Sequence, residues 1–167
     1  MIKIILLAHN VRSCHNVGSL LRTAEGLGLE KVYLSGYTPY PKFQNDKRLP
    51  HLAEKINKQI HKTALGAEKL VNWEQADNPV DVIVKLKSQG YEICGLEQND
   101  KSINLSGFRP QNKIVLVVGN EITGLDPDLM AKCSKLLEIP MFGKKESFNV
   151  VQAAAMALYH LRFLDSA

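Results

Sequence analysis

Three separate segments of this 167-residue chain carry polar side chains at spacings that could form a ligand site. Residues 16–23 read N-x-G-x-x-x-R-T, residues 117–125 read V-x-G-N-E-x-x-G-L, and residues 139–150 read I-P-M-x-G-x-x-x-S-x-N-V. Glycine lets a ligand or another backbone come close to the chain. An arginine and a carboxylate suit the binding and orientation of a charged substrate. These segments are therefore the candidates for chemistry.

The arginine of the first segment, Arg22, lies on a predicted helix face that also carries Gly18 and Gly26 at i+4 spacing. Each glycine in a helix interior costs about 1 kcal/mol relative to alanine. The expected compensation is the close approach of another backbone or of a ligand near Arg22. A solvated arginine beside two tolerated glycines is the alternative that this segment alone leaves open.

The second segment, residues 117–125, follows a wholly apolar strand predicted at 114–118. Ligands in open α/β sheets lie just beyond the carboxyl ends of the strands. The glycine spacing matches neither the dinucleotide pattern nor the P-loop. The loops after Ala8 and Leu96 also follow predicted strands, so we expect three strand-end loops to form one pocket. A plain strand-to-helix turn is the alternative.

The third segment joins a strand predicted at 136–139, which Pro140 ends, to a C-terminal helix. Ser147 and Asn149 stand where side-chain oxygens can cap the free N–H groups of the first helical turn. The helix carries an apolar stripe at helical spacing: Val150, Ala153, Ala154, Ala157, Leu158 and Leu161.

The elements that must position these segments form an alternating pattern. Strands are predicted at 2–8, 31–34, 91–96, 114–118 and 136–139, and helices at 17–28, 52–60, 62–70, 79–89, 126–132 and from 147 onward. Residues 37–50 hold three of the seven prolines and are predicted as loop. The pattern predicts one α/β domain with a mostly parallel sheet and helices on both faces.

Composition and cysteine use narrow the class of protein. The formal charge of +4 and the pI near 8.9 permit a polyanionic partner without requiring one. The three cysteines lack metal-type spacing and are predicted to be free thiols. We find no secretory signal and no stretch of about 20 apolar residues. The sequence therefore predicts a soluble, cytoplasmic protein without a metal.

In this order, the three segments resemble the SPOUT superfamily of S-adenosylmethionine-dependent RNA methyltransferases, and within it the SpoU/TrmH-type branch that methylates ribose 2′-hydroxyls. The resemblance runs from residue 2 to about residue 164. It implies a C-terminal deep trefoil knot, which general packing rules make very rare. It also implies that residues 1–167 form a single catalytic domain without a separate RNA-binding extension.

The resemblance implies specific site residues. The cofactor, S-adenosyl-L-methionine, would be held mainly by backbone groups at Leu96, Gly119, Ile139 and Ser147, with Met141 and Phe148 beside them. The catalytic positions would be Arg22, Asn16, Glu121, Ser147 and Asn149. Arg22 would act either as a base assisted by a phosphate or as a cation that stabilises the developing alkoxide. Ser147 and Asn149 would act as positioning groups, and Glu121 would orient the strand-end loops or Asn16.

Two macromolecular partners are expected, RNA and a second copy of the chain. Residues 42–62 are rich in basic and aromatic side chains that suit RNA: Lys42, Lys47, Arg48, Lys55, Lys58, Lys62, Phe43 and His51, with Tyr37 and Tyr40 nearby. The homodimer is expected to use the C-terminal helix and the Arg22 helix, with Gly18 and Gly26 admitting the partner's backbone.

The expected reaction is the methylation of a ribose 2′-hydroxyl. Transfer RNA is the preferred candidate substrate, and ribosomal RNA is the second candidate. A SPOUT-type base methyltransferase is one alternative, and the N-x-G-x-x-x-R spacing of residues 16–22 argues against it. A non-catalytic RNA-binding module of the same fold is the other alternative. The presence of the candidate catalytic residues argues against that module.

Overall fold

The structure, a computed structural model, describes residues 1–163 as alternating strands and helices. In chain order the elements are β1 (Lys3–His9), α1 (Cys14–Gly26), β2 (Lys31–Ser35), α2 (Pro50–Ala64), β3 (Trp73–Ala76), α3 (Pro79–Ser88), β4 (Glu92–Leu96), β5 (Ile103–Asn104), β6 (Lys113–Val118), α4 (Pro127–Lys132), β7 (Lys135–Glu138) and α5 (Val150–Phe163). Two short 3₁₀ turns, Ala67–Lys69 and Leu105–Gly107, complete the order.

The seven strands form one sheet in the order β3-β2-β1-β6-β4-β7-β5, and every pairing is parallel. The central strands β1 and β6 are almost wholly apolar and buried, as expected where helices cover both faces of a parallel sheet. The predicted α/β class and parallel sheet are confirmed.

Alternate residues of each strand point to opposite faces and build two cores. From β1, Ile4 and Leu6 join the core beneath α1, α2 and α5, whereas Ile5 and Leu7 join the core beneath α3 and α4. Parallel strands place their carboxyl ends at the same edge of the sheet. The loops that follow β1, β4, β6 and β7 therefore meet there.

Gly18 shows why the first helix contains a glycine. A methyl group at this position would overlap the backbone oxygen of Ile60 and the hydroxyl of Thr63, because α2 crosses α1 there. The predicted close approach of another backbone is confirmed. However, the approaching backbone belongs to the same chain, so the expectation that Gly18 admits a partner subunit is wrong. At Gly26, by contrast, an added methyl group would meet open space.

The region between β2 and α3 differs most from the sequence prediction. One helix, α2, covers the helix predicted at 52–60 and only the start of the helix predicted at 62–70, and it ends where Leu65 adopts a left-handed conformation. The rest of the second predicted helix is the short 3₁₀ turn Ala67–Lys69. Strands β3 and β5 were not predicted. β3 is a four-residue strand without clear alternation of apolar and polar residues, and β5 has only two residues. Neither gives a period that sequence reasoning can detect.

The C-terminal helix α5 begins after Asn149, whose side-chain oxygen accepts from the N–H of Val151 at 2.9 Å. Asn149 is the cap, as predicted. Ser147 makes no such bond, because the helix begins three residues after it, and its expected capping role is wrong. The stripe on α5 is confirmed in its main part, since Ala154, Ala157, Leu158 and Leu161 are buried.

The last turn of α5 is tied to the beginning of the chain through Arg162. Its guanidinium donates to the backbone oxygens of Ile2, Leu27 and Gly28 at 2.8–2.9 Å. One charged side chain thus joins α5, the start of β1 and the end of α1. Such charge-assisted bonds to carbonyl groups are stronger than neutral ones.

Two further observations concern the class of protein. Cys14, Cys94 and Cys133 are all free thiols, as predicted. Within residues 1–163, no helix is both long enough and apolar enough to cross a membrane.

Candidate functional site

A cleft of about 300 Å³ lies at the carboxyl ends of β4, β6 and β7. This volume is at the lower end of the range for small-molecule sites. Its floor is apolar, with Leu96, Val118, Ile139, Val150 and Ala153, and its rim is polar. The prediction that strand-end loops form one pocket is confirmed for the loops after β4 and β6. The loop after β1 does not line the cleft, but it contacts the cleft wall through Glu121.

The first wall of the cleft is a tight turn at residues 119–125, here called the 119–125 turn. Asn120 and Gly124 exchange two backbone hydrogen bonds, of 3.0 and 2.9 Å. A methyl group at Gly119 would overlap the backbone of Gly124, so this position requires glycine. Gly124 has a positive φ of 68°, a conformation that glycine adopts without strain.

Asn120 fixes the 119–125 turn from inside and from outside. Its side-chain oxygen accepts from the N–H groups of Ile122 and Thr123 at 2.8 and 3.0 Å. Its amide nitrogen donates to the backbone oxygen of Asn10 and to the hydroxyl of Tyr37. Sequence reasoning did not single out this buried residue. The available signal was an asparagine placed between a strand-ending glycine and an acid, a position where side chains commonly bond to the local backbone.

Glu121 connects the cleft wall to the beginning of α1. Its carboxylate accepts from the N–H groups of Arg12 and Ser13 at 2.9–3.1 Å and from the amide of Asn16 at 2.8 Å. The Ser13 hydroxyl in turn caps α1 by accepting from the N–H of Asn16. Two of the predicted site residues, Asn16 and Glu121, are thus brought into direct contact.

These donors determine the charge state of Glu121. Burial by itself would raise the pKa of the carboxyl, but the N–H groups and the Asn16 amide outweigh burial and hold the pKa below its usual value. Glu121 is therefore an anion near neutral pH. Because several donors already occupy its oxygens, the carboxylate is built to orient the α1 loop rather than to remove a proton.

Glu97 supports the same turn from β4. One carboxylate oxygen accepts from the N–H of Leu125 at 2.7 Å, and the other accepts from the N–H of Gln98 at 3.1 Å. A methyl group at Gly124 would overlap this carboxylate. The 119–125 turn is therefore held by groups that follow β1, β2 and β4 and by the start of α1.

The second wall of the cleft, the 139–149 loop, has a different character. Within the described part of the chain, residues 140–148 make no hydrogen bond, and all of residues 142–149 are exposed. Phe142 is 98% exposed. The loop contributes Ile139, Ser147 and Phe148 to the lining of the cleft.

Known families and relatives match nearly the whole chain. The model of the SpoU rRNA methylase family matches residues 3–159. The chain belongs to the SpoU methylase family. Curated relatives include a tRNA (guanosine(18)-2′-O)-methyltransferase of Aquifex aeolicus, 32% identical over 93% of this chain, and the 23S rRNA (guanosine(2553)-2′-O)-methyltransferase RlmP of Bacillus subtilis, 31% identical over 95%.

The SpoU methylase fold is also found among solved structures. The methyltransferase AviRb of Streptomyces viridochromogenes, solved with AdoMet, aligns over 99% of this chain with a TM-score of 0.82 at 19% identity, and this chain covers 58% of it. The chain spans 67% of the Aquifex relative and 57% of the Bacillus relative. The predicted resemblance to the SPOUT superfamily is confirmed.

The SpoU-family site residues predicted from sequence fall into three groups. Five of the six expected cofactor positions line the cleft: Leu96, Gly119, Ile139, Ser147 and Phe148. Met141 does not line it, although it belongs to the same loop. Asn16 and Glu121 meet at the cleft wall. Asn149 caps α5, and Arg22 is exposed on α1 without a side-chain hydrogen bond to any described residue.

The cleft is more acidic than a site that binds nucleotide phosphates. Four carboxylates line it, those of Glu97, Glu121, Glu138 and Glu146, and none of its described lining residues is lysine, arginine or histidine. Phosphate groups require cationic or N–H-rich surroundings, so this lining disfavours a di- or triphosphate. It suits a ligand with an apolar ring and a positive charge. Within residues 1–163, no cluster of three or more metal-ligating side chains occurs.

Proposed function

We propose that the chain is an RNA ribose 2′-O-methyltransferase that transfers a methyl group from S-adenosyl-L-methionine to a ribose 2′-hydroxyl. Transfer RNA is the first candidate substrate, and ribosomal RNA is the second. The observation that carries the proposal is the bond between Asn16 and Glu121. It ties the helix that carries Arg22 to the wall of a cleft suited to the cofactor. The relatives that are 31–32% identical are named as 2′-O-methyltransferases of tRNA and rRNA.

The lining of the cleft suits the cofactor in polarity and charge. When bound, S-adenosyl-L-methionine supplies a methyl group on a positively charged sulfur, together with an adenosine and an amino-acid group. The apolar residues Leu96, Ile139 and Ala153 suit the adenine ring. The carboxylates of Glu138 and Glu146, which form no hydrogen bond with the described residues, suit the cationic part. The backbone at Leu96, Gly119, Ile139 and Ser147 would hold the cofactor, with Phe148 and Met141 beside it.

The chain's own groups would act on the ribose. A ribose hydroxyl is a weak nucleophile until its proton leaves, so orientation and charge stabilisation provide the assistance. Arg22 is exposed, and its guanidinium is able to hold a phosphate and stabilise the developing alkoxide. Asn16, held by Glu121, and the polar groups of Ser147 and Asn149 would position the RNA.

Calorimetry and a methylation assay together test the proposal. S-adenosyl-L-methionine is expected to bind with micromolar affinity and to raise the melting temperature by mass action. Transfer of a radiolabelled methyl group to RNA is expected to yield alkali-resistant dinucleotides, because a 2′-O-methyl group blocks cleavage of the adjacent phosphodiester. A label found on a base would instead support a base methyltransferase. No binding at millimolar cofactor would refute the catalytic proposal.

Variants of Arg22 separate binding from chemistry. Arg22→Ala is expected to abolish methyl transfer while cofactor affinity stays nearly unchanged, since Arg22 does not line the cleft. Arg22→Lys is expected to fail as well, because a point charge does not replace a planar guanidinium. Arg109→Ala, at an exposed arginine near β5, serves as the control and should retain activity. Near-normal turnover by Arg22→Lys would show that positive charge alone is sufficient.

We also propose that the working unit is a homodimer and that its C-terminal segment is knotted. We propose that it acts in the cytoplasm, where free thiols stay reduced. The outer face of α5 presents Met156, Tyr159 and Phe163, which are 38–61% exposed, and the two aromatic rings contact each other at a tilt of 41°, with centroids 4.7 Å apart. Tyr159→Asp is expected to separate the subunits and reduce activity, whereas Tyr159→Phe should do neither. A fully active wild-type species sedimenting near 18.6 kDa would contradict the dimer.

A further inference from the structure

A second concave site lies outside the cleft, where the loop between β2 and α2 passes over the start of β3. It has a volume of about 480 Å³. We call it the aromatic pocket and define it by Pro41, Lys42, Phe43, Asn57, Lys69 and Trp73. None of its lining residues belongs to the cleft, and the proposed methyl transfer does not use it.

The walls of the aromatic pocket are two rings held edge to face. Phe43 and Trp73 have centroids 6.2 Å apart, and Phe43 is 46% exposed. The indole N–H of Trp73 donates to the backbone oxygen of Glu68 at 3.0 Å, which fixes the ring in place. An exposed phenylalanine beside a fixed, half-buried tryptophan is a surface on which a planar ring can stack.

The loop behind these rings is fixed by Arg48. Its guanidinium lies 3.7 Å from the ring centre of Tyr40, binds the carboxylate of Asp46, and donates to the backbone oxygens of Tyr40 and Pro41. The expectation that Arg48 contacts RNA is therefore wrong, because its donors serve the loop. Tyr40 in turn packs behind Phe43 and Trp73. The pocket is thus preformed.

The surroundings of the pocket are positively charged. Residues 42–69 contain seven lysines and arginines against three acids. Each acid is paired within the segment: Asp46 with Arg48, Glu54 with Lys42 and Lys58, and Glu68 with His61. Lys47, Lys55, Lys62 and Lys69 are exposed and form no ion pair with the described residues. Polyanion binding is the expected use of such a surface.

Polar groups at the pocket can contact the edge of a planar ligand. The side-chain oxygen of Asn57 accepts from the N–H of Lys42 at 2.9 Å, so its amide nitrogen remains a donor. We propose that the aromatic pocket binds an unpaired nucleobase of the RNA substrate, stacked on the exposed ring of Phe43 with its edge against Trp73, and with Lys42 and Lys69 beside the flanking phosphates. Aromatic rings beside basic side chains are the usual means of holding single-stranded RNA.

The position of the pocket makes it a second contact for the RNA. Trp73 packs on the same sheet face as α1, the helix of Arg22. Three strand spacings of about 4.8 Å separate β3 from β6, and Trp73 is level with Leu116, two residues of about 3.3 Å before the end of β6. The start of β3 therefore lies roughly 16 Å from the end of β6. The inference rests on the proposed RNA methyltransferase function and adds that the substrate has an unpaired base at this distance from the methylated ribose.

The chain contains one tryptophan, Trp73, which makes the pocket directly observable. Titration with a single-stranded 12-nucleotide RNA of mixed sequence is expected to quench the fluorescence of Trp73, because a base in contact with an indole quenches its emission. A perfectly paired RNA duplex and inorganic polyphosphate are expected to bind through charge with little quenching. Equal quenching by polyphosphate would overturn base stacking, as would the absence of quenching by single-stranded RNA that binds in an independent filter assay.

Matched variants complete the test. Phe43→Ala is expected to weaken single-stranded RNA binding about tenfold, the lower part of the range for one stacked base, whereas Phe43→Tyr should bind normally. Lys69→Gln should weaken binding and Lys85→Gln, on α3 beneath the opposite face, should not. Cofactor affinity and the melting temperature are measured for each variant. If cofactor binding and ribose methylation are intact but Phe43→Ala binds RNA normally, the pocket proposal fails and the proposed function stands.

Discussion

The wall of the cleft at residues 119–125 and the wall at residues 139–149 differ in how the chain holds them in place. The 119–125 turn is fixed by bonds to several other parts of the fold, chiefly through Asn120, Glu121 and Glu97. The 139–149 loop, within the described residues, is bonded only at its end, where Asn149 accepts from the N–H groups of Val151 and Ala153. One wall is preorganised, and the other leaves its polar groups free to bond to a ligand. Sites of this kind combine a rigid scaffold with a segment of low local stability.

The largest expected effect is a loss of cofactor affinity. It is tested by adding one methyl group to each wall in turn. Gly119→Ala forces the added carbon into the backbone of Gly124 and must open the turn, whereas Gly143→Ala adds it to open space in the 139–149 loop. We expect Gly119→Ala to lower cofactor affinity about 100-fold, or about 3 kcal/mol, the upper range for overpacking. Gly143→Ala should bind normally. Calorimetry on both variants checks this, and equal affinities would remove the distinction between the walls.

The second effect comes from cutting the bonds between the turn and α1. Glu121→Ala leaves the N–H groups of Arg12 and Ser13 and the amide of Asn16 without their acceptor. The loss is expected to be about 1–3 kcal/mol of the free energy of unfolding, or roughly 3–10 °C in melting temperature for a chain of this size. Glu146→Ala, on the unbonded wall, is the matched control. A calorimetric scan that finds equal melting temperatures would contradict this role of Glu121.

A third, smaller effect concerns the unbonded wall. Lys144 and Lys145 lie in the exposed 139–149 loop and are trypsin sites. If cofactor binding orders this loop, the cleavage rate should fall in proportion to the unbound fraction, about tenfold at a ligand concentration ten times Kd. Mass spectrometry of the fragments distinguishes this site from Lys47, an exposed lysine outside the cleft, where cleavage should not change. Equal protection at both sites would indicate global stabilisation instead.

The smallest effect is a dependence of stability on pH. The pKa of Glu121 lies below its usual value in the folded protein, so its contribution is fully present above the unfolded-state pKa, near 4.5, and is lost as pH falls through the folded pKa. The melting temperature of Glu121→Gln should therefore fall less steeply below pH 4.5 than that of the wild type. Parallel curves would show that the carboxylate contributes nothing through its charge.

Much of the fold followed from the sequence because the central strands are continuous apolar runs and the helices have clear periods. The order of the strands in the sheet could not be predicted, since it depends on which buried strands pair across distant parts of the chain. Strand β3 was missed because an edge strand with residues such as Glu74 and Gln75 gives no apolar pattern. Gly18 was correctly expected to face another backbone, but a helical wheel cannot show whether that backbone belongs to α2 or to a second subunit.

The site was predictable to a similar extent. Glycines and acids at strand ends marked the residues that line the cleft, because parallel strands end at one edge of the sheet. The network around Asn120 was not predictable, since its partners Asn10 and Tyr37 are 110 and 83 positions away. Only one side of the aromatic pocket could be predicted from the sequence. Phe43 was noted within a basic segment, while Trp73 lies on a strand that the sequence pattern did not reveal.

The bonds made by Arg162 have a consequence for how the chain reaches its folded state. They join residues 134 to 160 positions apart, and the central strand β1 also pairs with β6, more than 100 positions later. Synthesis proceeds from the N-terminus, so β1 waits for its second neighbour until most of the chain exists, and α5 is fastened last. Contacts of such long sequence separation make folding slow. The newly made chain therefore passes through a period in which an edge of this apolar central strand is uncovered, when it is most prone to association with other chains.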